Sequence, residues 1–593
     1  MHNLRSRIYV ETFLIGPLIR LSSSRRAALP IALIGVVLLA APALARALEP
    51  PLTATPQGAC GPGSRPESGV QGRVSRLDMQ SGRAAEGYTC NTELVSSHKS
   101  AVVEGNTLGT IGGFKVHRYV DGAGNECAYY DTTLLFPTNL GDQEGGVVVL
   151  DMSDSSDPVA TATLRTPGMV SMHETLVISE ERGILAGISA AAEPIELPAV
   201  LDLYDLTQDC RQPQLISSTP MPVLAHESGM SANGDLFWAS MTNEPYIWAI
   251  DISEPQLPTI VYQSDFGSHG INISEDGSRA YLSQTGADRG LLILDTTELH
   301  AYLGQAPTPL VDLPVATGWA DGQSQSGVPE VTKIAKLEWS GGSIPQNSVP
   351  FSSNGKQYLM EVDEYGGCSG SPANAGAARI IDINDEANPF VLSNLRLEVH
   401  NPEFFDEICD DPGARNPLQT YSAHYCHIPT RVDPTIVACS MNLSGLRVFD
   451  ISDVAKPIAI AYFNAPVQPR PAFDLIAPEY GPAGITFEAS NWAMSAPAFA
   501  PERNEIWFTD AFQGFYAVRL TNGAWPEFVR PEVASVAGSA PAPTSAPTSA
   551  PTPGATPLPI TGAAVWLQGI GALMLCGSLT LTNRRGRDHE AGC

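Results

Sequence analysis

Four histidines could do chemistry together. His173, His226, His269 and His424 each stand at the start of a short strand-like run, and Glu174 and Glu227 directly follow the first two. Neutral imidazole nitrogens are donors for zinc, copper, iron or nickel, so imidazoles converging on one point would hold a divalent transition metal. A glutamate beside them can orient a ligand ring or act as a general base. The competing reading is structural: each imidazole bonds a backbone carbonyl of the adjacent repeat and ties neighbours together. The spacing matches no metal motif, since the chain has neither HExxH nor a CxxC pair.

Other chemistry is thinly represented. Asp363 and Glu364 after YLMEV, and Asp406, Glu407, Asp410 and Asp411 before His424, form acidic loops that could hold calcium or simply face water. There is no G-x-S-x-G nucleophile elbow, no Gly-rich phosphate loop after a strand and no haem-attachment motif. The net charge of −29 excludes a nucleic-acid partner and an anionic membrane face.

The elements that must position the histidines are set by a repeat. An apolar run, an Asp, usually one apolar residue and then Ser, Thr or Asn recurs at Asp151, Asp205, Asp251, Asp295, Asp382 and Asp450. A unit of about 45 residues is the length of a four-stranded propeller blade. One unit, His226 to Gln263, shows a short strand, a turn at Asn233-Gly234 and then LFWASM, YIWAIDI and PTIVYQ. Similar units start near His173, His269, Asn347, His424 and Ser495, and an earlier one spans Leu108 to Leu164. That makes an all-β, seven-bladed β-propeller over residues 88–522, with six or eight blades left open by the insertion at 301–345. The last unit has three clear strands, and CNTELVSSH (90–98) has the pattern of its missing fourth. Completing the last blade with an N-terminal strand removes the free edges of an open array. Asp in the repeat phrase then caps the turn from third to fourth strand by bonding backbone N–H groups. The register places the four histidines, Asn347 and Ser495 at one mouth of the central channel.

The phrase [VIL]-hydrophobic-D-[IML]-S-x-x-x-x-P resembles the LVIVD-repeat β-propeller proteins of bacteria. The stretches GGFKVHRYVDGAGNECAYYDTTLLFPTN, SIPQN, ARIIDINDEANP and AMSAPAFAPERNEIWFTD look like one exported subgroup of them. The resemblance covers most of residues 88–522. It implies the propeller fold and brings no activity or catalytic residue with it.

The ends read as processing signals. Residues 1–47 look like a signal peptide, with Arg25 and Arg26 before an apolar stretch that closes on small residues; an uncleaved anchor is the alternative. Residues 48–87 read as a flexible linker, and 523–557, with its Pro, Ser, Thr and Ala, as an extended stalk. Leu558-Pro559-Ile560-Thr561-Gly562, an apolar run and Arg584, Arg585 and Arg587 resemble the sorting signal of sortase-anchored surface proteins over 558–593. This resemblance implies cleavage after Thr561 and attachment to the cell wall, with sortase and the wall as partners. A plain C-terminal membrane helix is the alternative. Before processing, both terminal segments would engage the membrane; the location is extracellular, wall- or membrane-anchored.

Ten cysteines are present, and Cys576 and Cys593 fall in the sorting signal. The other eight suit four disulfides in an oxidising compartment. Cys368 and Cys409 fall in upper-face loops around one blade, and Cys426 and Cys439 on adjacent strands. Cys127 and Cys210 sit in lower-face turns of successive units, which leaves Cys60 with Cys90. Two functions stand side by side: a surface-anchored propeller acting as a binding scaffold for an unknown extracellular ligand or protein, or an exported metal-dependent enzyme with its site in the channel.

Overall fold

The computed structural model describes residues 49–526, apart from 100–111, 133–144, 171, 190–198, 223–224, 241–246, 265–266, 286–288, 304–330, 369–374, 415–419 and 476–484. The signal-peptide, sorting-signal and most of the stalk segments lie outside the described residues. Among those described, no helix is long and apolar enough to cross a membrane.

Six antiparallel four-stranded sheets and a seventh that gains a fifth strand make a seven-bladed β-propeller. Blade I is built from Val116–Val120, Glu126–Asp131, Val147–Asp151 and Val159–Leu164, and blade II from Val177–Ser179, Ile184–Ile188, Ala199–Asp205 and Gln214–Met221. Blade III takes Glu227–Met230, Leu236–Ser240, Ile247–Asp251 and Thr259–Ser264; blade IV takes Gly270–Ile273, Arg279–Gln284, Gly290–Asp295 and Thr332–Leu337. Blade V follows with Ile344–Ser353, Lys356–Glu364, Ala378–Asp382 and Phe390–Leu395, and blade VI with Tyr425–His427, Ile436–Ser440, Leu446–Asp450 and Ile458–Asn464. Blade VII has Ala498–Ala500, Glu505–Asp510 and Gly514–Leu520, and its fourth strand is Thr92–His98 from the other end of the chain. The ring therefore closes as the sequence predicts.

All six Asp of the repeat phrase do the same local work. Each carboxylate accepts the N–H two residues on, at Ser153, Thr207, Ser253, Thr297, Asn384 and Ser452, over 2.7–3.0 Å. In every blade the pairing of third with fourth strand also slips by one residue. Such a bulge sharpens the right-handed twist that lets blades stack around an axis. Apolar side chains on both faces of the sheets then fill the gaps between blades: Ala186 and Leu203 meet Phe237 and Ile250, and Trp238 meets Ile271 and Leu282. Trp507 and Phe515 pack with Tyr130 and Leu150 across the closure. Hydroxyls on second strands reach the next blade's inner strand, as Ser240 does to His269 O (2.8 Å), Ser440 to Ser495 O (2.7 Å) and Thr509 to Gly113 O (2.7 Å).

The N-terminal segment departs from expectation. Residues 49–87, read as a flexible linker, are instead folded against blades V and VI. A helix, Arg76–Ser81, is capped by Ser75, and Val74, Ala84 and Tyr88 enter the same apolar cluster as Val437 and Phe449. Arg73 Nε reaches Asp411 Oδ2 at 2.7 Å, Glu67 pairs with the buried Arg447, and Thr55 N donates to Arg396 O at 2.8 Å. Composition misleads here because these few apolar side chains need only a groove on an existing surface, not a core of their own. The stretch 90–98 also splits in two at Asn91, whose φ is 51°. Tyr88–Cys90 adds a fifth strand to blade VI, while Thr92–His98 turns away to blade VII. Asn91 holds that corner through Nδ2 bonds to Ala59 O (3.0 Å) and Ile460 O (2.8 Å).

Four disulfides join Cys60 to Cys90, Cys127 to Cys210, Cys368 to Cys409 and Cys426 to Cys439, the connectivity expected from the blade register. They fit a protein that completes folding in an oxidising compartment.

Candidate metal centre

The four histidines do meet. His226, His269 and His424 directly precede the inner strands of blades III, IV and VI, and His173 lies four residues ahead of that of blade II, so four blades deliver their imidazoles to one cluster. His173 takes a left-handed backbone (φ 48°), an uncommon state for a residue with a Cβ. Its ring lies 4.4 Å from that of His226, and the His226 and His269 rings are 4.7 Å apart. Phe114, at the matching place in blade I, packs on His173 and His424.

Hydrogen bonds fix which nitrogens face inward. His269 Nδ1 is 3.0 Å from Pro345 O and His424 Nδ1 is 2.9 Å from Met494 O, each in the following blade. A carbonyl oxygen only accepts, so Nδ1 carries the proton and the neutral ring keeps a lone pair on Nε2. The blade-locking role and the ligand role are thus two ends of the same ring, the arrangement that orients histidines around metals. At the inner end His269 Nε2 lies 3.0 Å from His226 Nε2.

Two carboxylates complete the cluster. Glu174 Oε2 is 3.5 Å from His226 Nε2 and 3.8 Å from His269 Nε2, and its Oε1 is 3.4 Å from His424 Nε2. Glu364 Oε1 is 3.3 Å from His269 Nε2 and its Oε2 is 2.9 Å from His424 Nε2. Glu174 therefore stands among the imidazoles rather than behind them. Despite this proximity, Glu174 Oε2, His424 Nε2 and His173 Nδ1 are buried without a properly directed hydrogen bond. Donors about 2.0–2.2 Å from one ion sit roughly 3–3.5 Å from each other, close to most of these separations.

Glu227 has a different job. It meets Lys115 Nζ at 3.0 Å and Asn347 Nδ2 at 2.8 Å, and Lys115 lies 4.0 Å over the Tyr425 ring. This buried layer, in ring contact with His424 through Tyr425, occupies Glu227 with Lys115 and Asn347 instead of the ring-orienting or base role expected for it. Gly270 makes room for it: a Cβ there would lie 1.8 Å from Gln346 O and 2.4 Å from Glu227 Oε2.

The acidic loops sort differently from expectation as well. Asp363 and Glu364 are not in a loop but end the second strand of blade V, both buried. Asp363 meets the buried Arg379 at 2.6 Å, and Asp411 is taken by Arg73 and by Tyr421 Oη (2.9 Å). These two carboxylates face arginines and a phenol, which is no calcium arrangement.

Burial disfavours charge throughout the centre. It holds His173 and His269 down to about 3 and His424 to about 4, and it pushes Glu174 up to about 8 against the pull of His424. Glu364 is raised well above the ordinary range by burial and by the Glu227 and Asp363 charges. Lone pairs and carboxylates thus converge where a cation would relieve both.

Lys115 has no counterpart among the candidate residues, and Glu364, expected in an acidic loop, joins the histidines instead. Blade I carries Phe114-Lys115 where the histidine blades carry His173-Glu174 or His226-Glu227, and that register was the available signal. Glu364 lies at the far end of a second strand, where only the pairing of Ile344 with Glu364 brings it back to the axis.

No protein-family profile matches the chain, and no curated protein does. Solved structures resemble the chain only at low likeness. The β-propeller domain of Myceliophteria thermophila Cps50 (Swd1) is 11% identical with a TM-score of 0.39, over 72% of this chain and 98% of that one. Hydrazine synthase of Kuenenia stuttgartiensis is 12% identical (TM-score 0.39; 71% and 99%). A functionally unknown protein of Desulfotomaculum acetoxidans is also 12% identical (TM-score 0.36; 59% and 89%). At that level they carry no argument about chemistry.

Proposed function

We propose that this chain is an exported, surface-displayed β-propeller that binds a divalent transition metal at its axis. The observation that carries the reading is the convergence of Nε2 of His226, His269 and His424 on the Glu174 and Glu364 carboxylates, with two of the rings anchored by Nδ1 to backbone carbonyls. A scaffold that binds partners through the faces of its disc needs no such cluster, and burying unpaired imidazoles and carboxylates costs stability. Imidazole and carboxylate together suit zinc, iron or manganese. The His226 side chain, 23% exposed against 0–2% for His269 and His424, is the ligand nearest solvent. A small ligand or substrate would meet the ion from that side, where the metal acts as a Lewis acid.

The test is elemental analysis of the full chain, purified without a polyhistidine tag from metal-replete medium. The expected result is stoichiometric transition metal in the native protein and its loss in His226→Ala and His269→Ala with the circular dichroism unchanged. A folded, metal-free native protein overturns the reading.

The surface-anchoring proposal rests on Leu558-Pro559-Ile560-Thr561-Gly562 and the apolar and basic segments behind it. In a sortase-bearing host, wall-released protein should end at Thr561. An intact C-terminus would leave the membrane-helix alternative instead.

A further inference from the structure

We infer that the axial site holds two metal ions, bridged by the carboxylates of Glu174 and Glu364; the inference rests on the metal-binding reading above. The donors divide into two sets that share Glu174: His173, Glu174 and His226 in one, Glu174, Glu364 and His424 in the other, with donor atoms in each set within 4.8 Å of one another. His269 Nε2, 3.0 Å from His226 Nε2, extends the first set.

Both carboxylates split their oxygens between the sets. Glu174 gives Oε2 to His226 and His269 and Oε1 to His424. Glu364 gives Oε1 to His269 and Oε2 to His424. A carboxylate serving one ion has no reason to aim its second oxygen at another imidazole lone pair. Two carboxylates doing so in parallel, with the same division of partners, is the pattern of a doubly bridged pair. Two-metal sites hold their ions about 3.5–4 Å apart, a span that a carboxylate bridges with its two oxygens.

The two positions are unequal. The first has imidazoles from blades II, III and IV, and the second has His424 as its one imidazole among the described residues. The second ion has fewer protein donors, so water, hydroxide or a small anion entering past His226 would complete its coordination. Two dications against two bridging carboxylates leave net positive charge, since Glu227 is already balanced by Lys115. That favours an anionic ligand.

The experiment strips the full chain with a chelator, reloads it with Mn2+ alone and counts bound ions after gel filtration. Two ions per chain, with an exchange-coupled electron paramagnetic resonance signal in place of an isolated six-line spectrum, is the expected result. One ion with the isolated spectrum overturns the pair and leaves the single-metal reading standing; none, with Zn2+ loading equally blank, overturns both. Glu364→Gln should drop the count from two to one with the fold intact by circular dichroism. A count that stays at two in a folded Glu364→Gln protein would remove Glu364 as a bridge and overturn the doubly bridged pair.

Discussion

Lys115 of blade I and Glu227 of blade III meet across the channel wall, Nζ to Oε1 at 3.0 Å, with side chains 7% and 0% exposed. Neither is adjacent to the other's blade, so the pair links blades I and III past blade II. Truncating one partner of a buried pair strands the other charge, at a cost of about 3–5 kcal/mol. Lys115→Met should lower unfolding free energy by that order in urea titration. Lys115→Met with Glu227→Gln should recover most of it; a double-variant loss equal to the sum of the two single losses would show that the pair carries no coupling.

Gly270 is required by a close approach rather than by backbone dihedrals. A methyl there would collide with Gln346 O, which belongs to blade V, and with Glu227 Oε2. Backbone atoms cannot yield as a flexible side-chain tip does, so Gly270→Ala should cost at least about 2 kcal/mol, the scale of overpacking a filled core. It should also weaken metal binding, because His269 is its direct neighbour. Thermal unfolding with and without added metal checks both, and an unchanged melting temperature would contradict the contact.

His400, outside the channel, makes stability depend on pH. Its Nδ1 accepts from Leu397 N (3.1 Å) and its Nε2 donates to Tyr421 O (2.8 Å), so the neutral ring is fully satisfied. Burial first, and the neighbouring Arg396 charge second, hold it down to about 3. The unfolded chain binds this proton below about pH 6.5, whereas the folded protein does so only near 3. Between those limits stability falls as pH falls, by about 1.4 kcal/mol per pH unit for one such group. His400→Gln should therefore flatten the dependence of unfolding free energy on pH near pH 5 by roughly that slope, even if it is less stable at pH 7. An unchanged slope would count against the neutral, buried ring.

The sequence made the blades legible because the Asp turn, the bulge and the two-faced apolar strands all repeat with one register. That register also put His173, His226, His269 and His424 at one height and sorted the four disulfides. It could not place Glu364 beside the histidines, because that residue reaches the axis by strand length and not by position in the repeat. Nor could it show that residues 49–87 dock, since Val74, Arg73 and Glu67 find their partners only on a surface formed by distant blades. Chemistry drawn from one repeated position was visible; chemistry drawn from unlike positions was not.

Blade VII is assembled from both ends of the chain, three strands ending at Leu520 and one beginning at Thr92. A growing polypeptide therefore cannot lock the ring until nearly all of the propeller has been synthesised. Contacts of such long range form slowly. On the metal-binding reading proposed above, the ion would enter a finished protein, and the supply in whatever compartment folding ends would choose which metal it is.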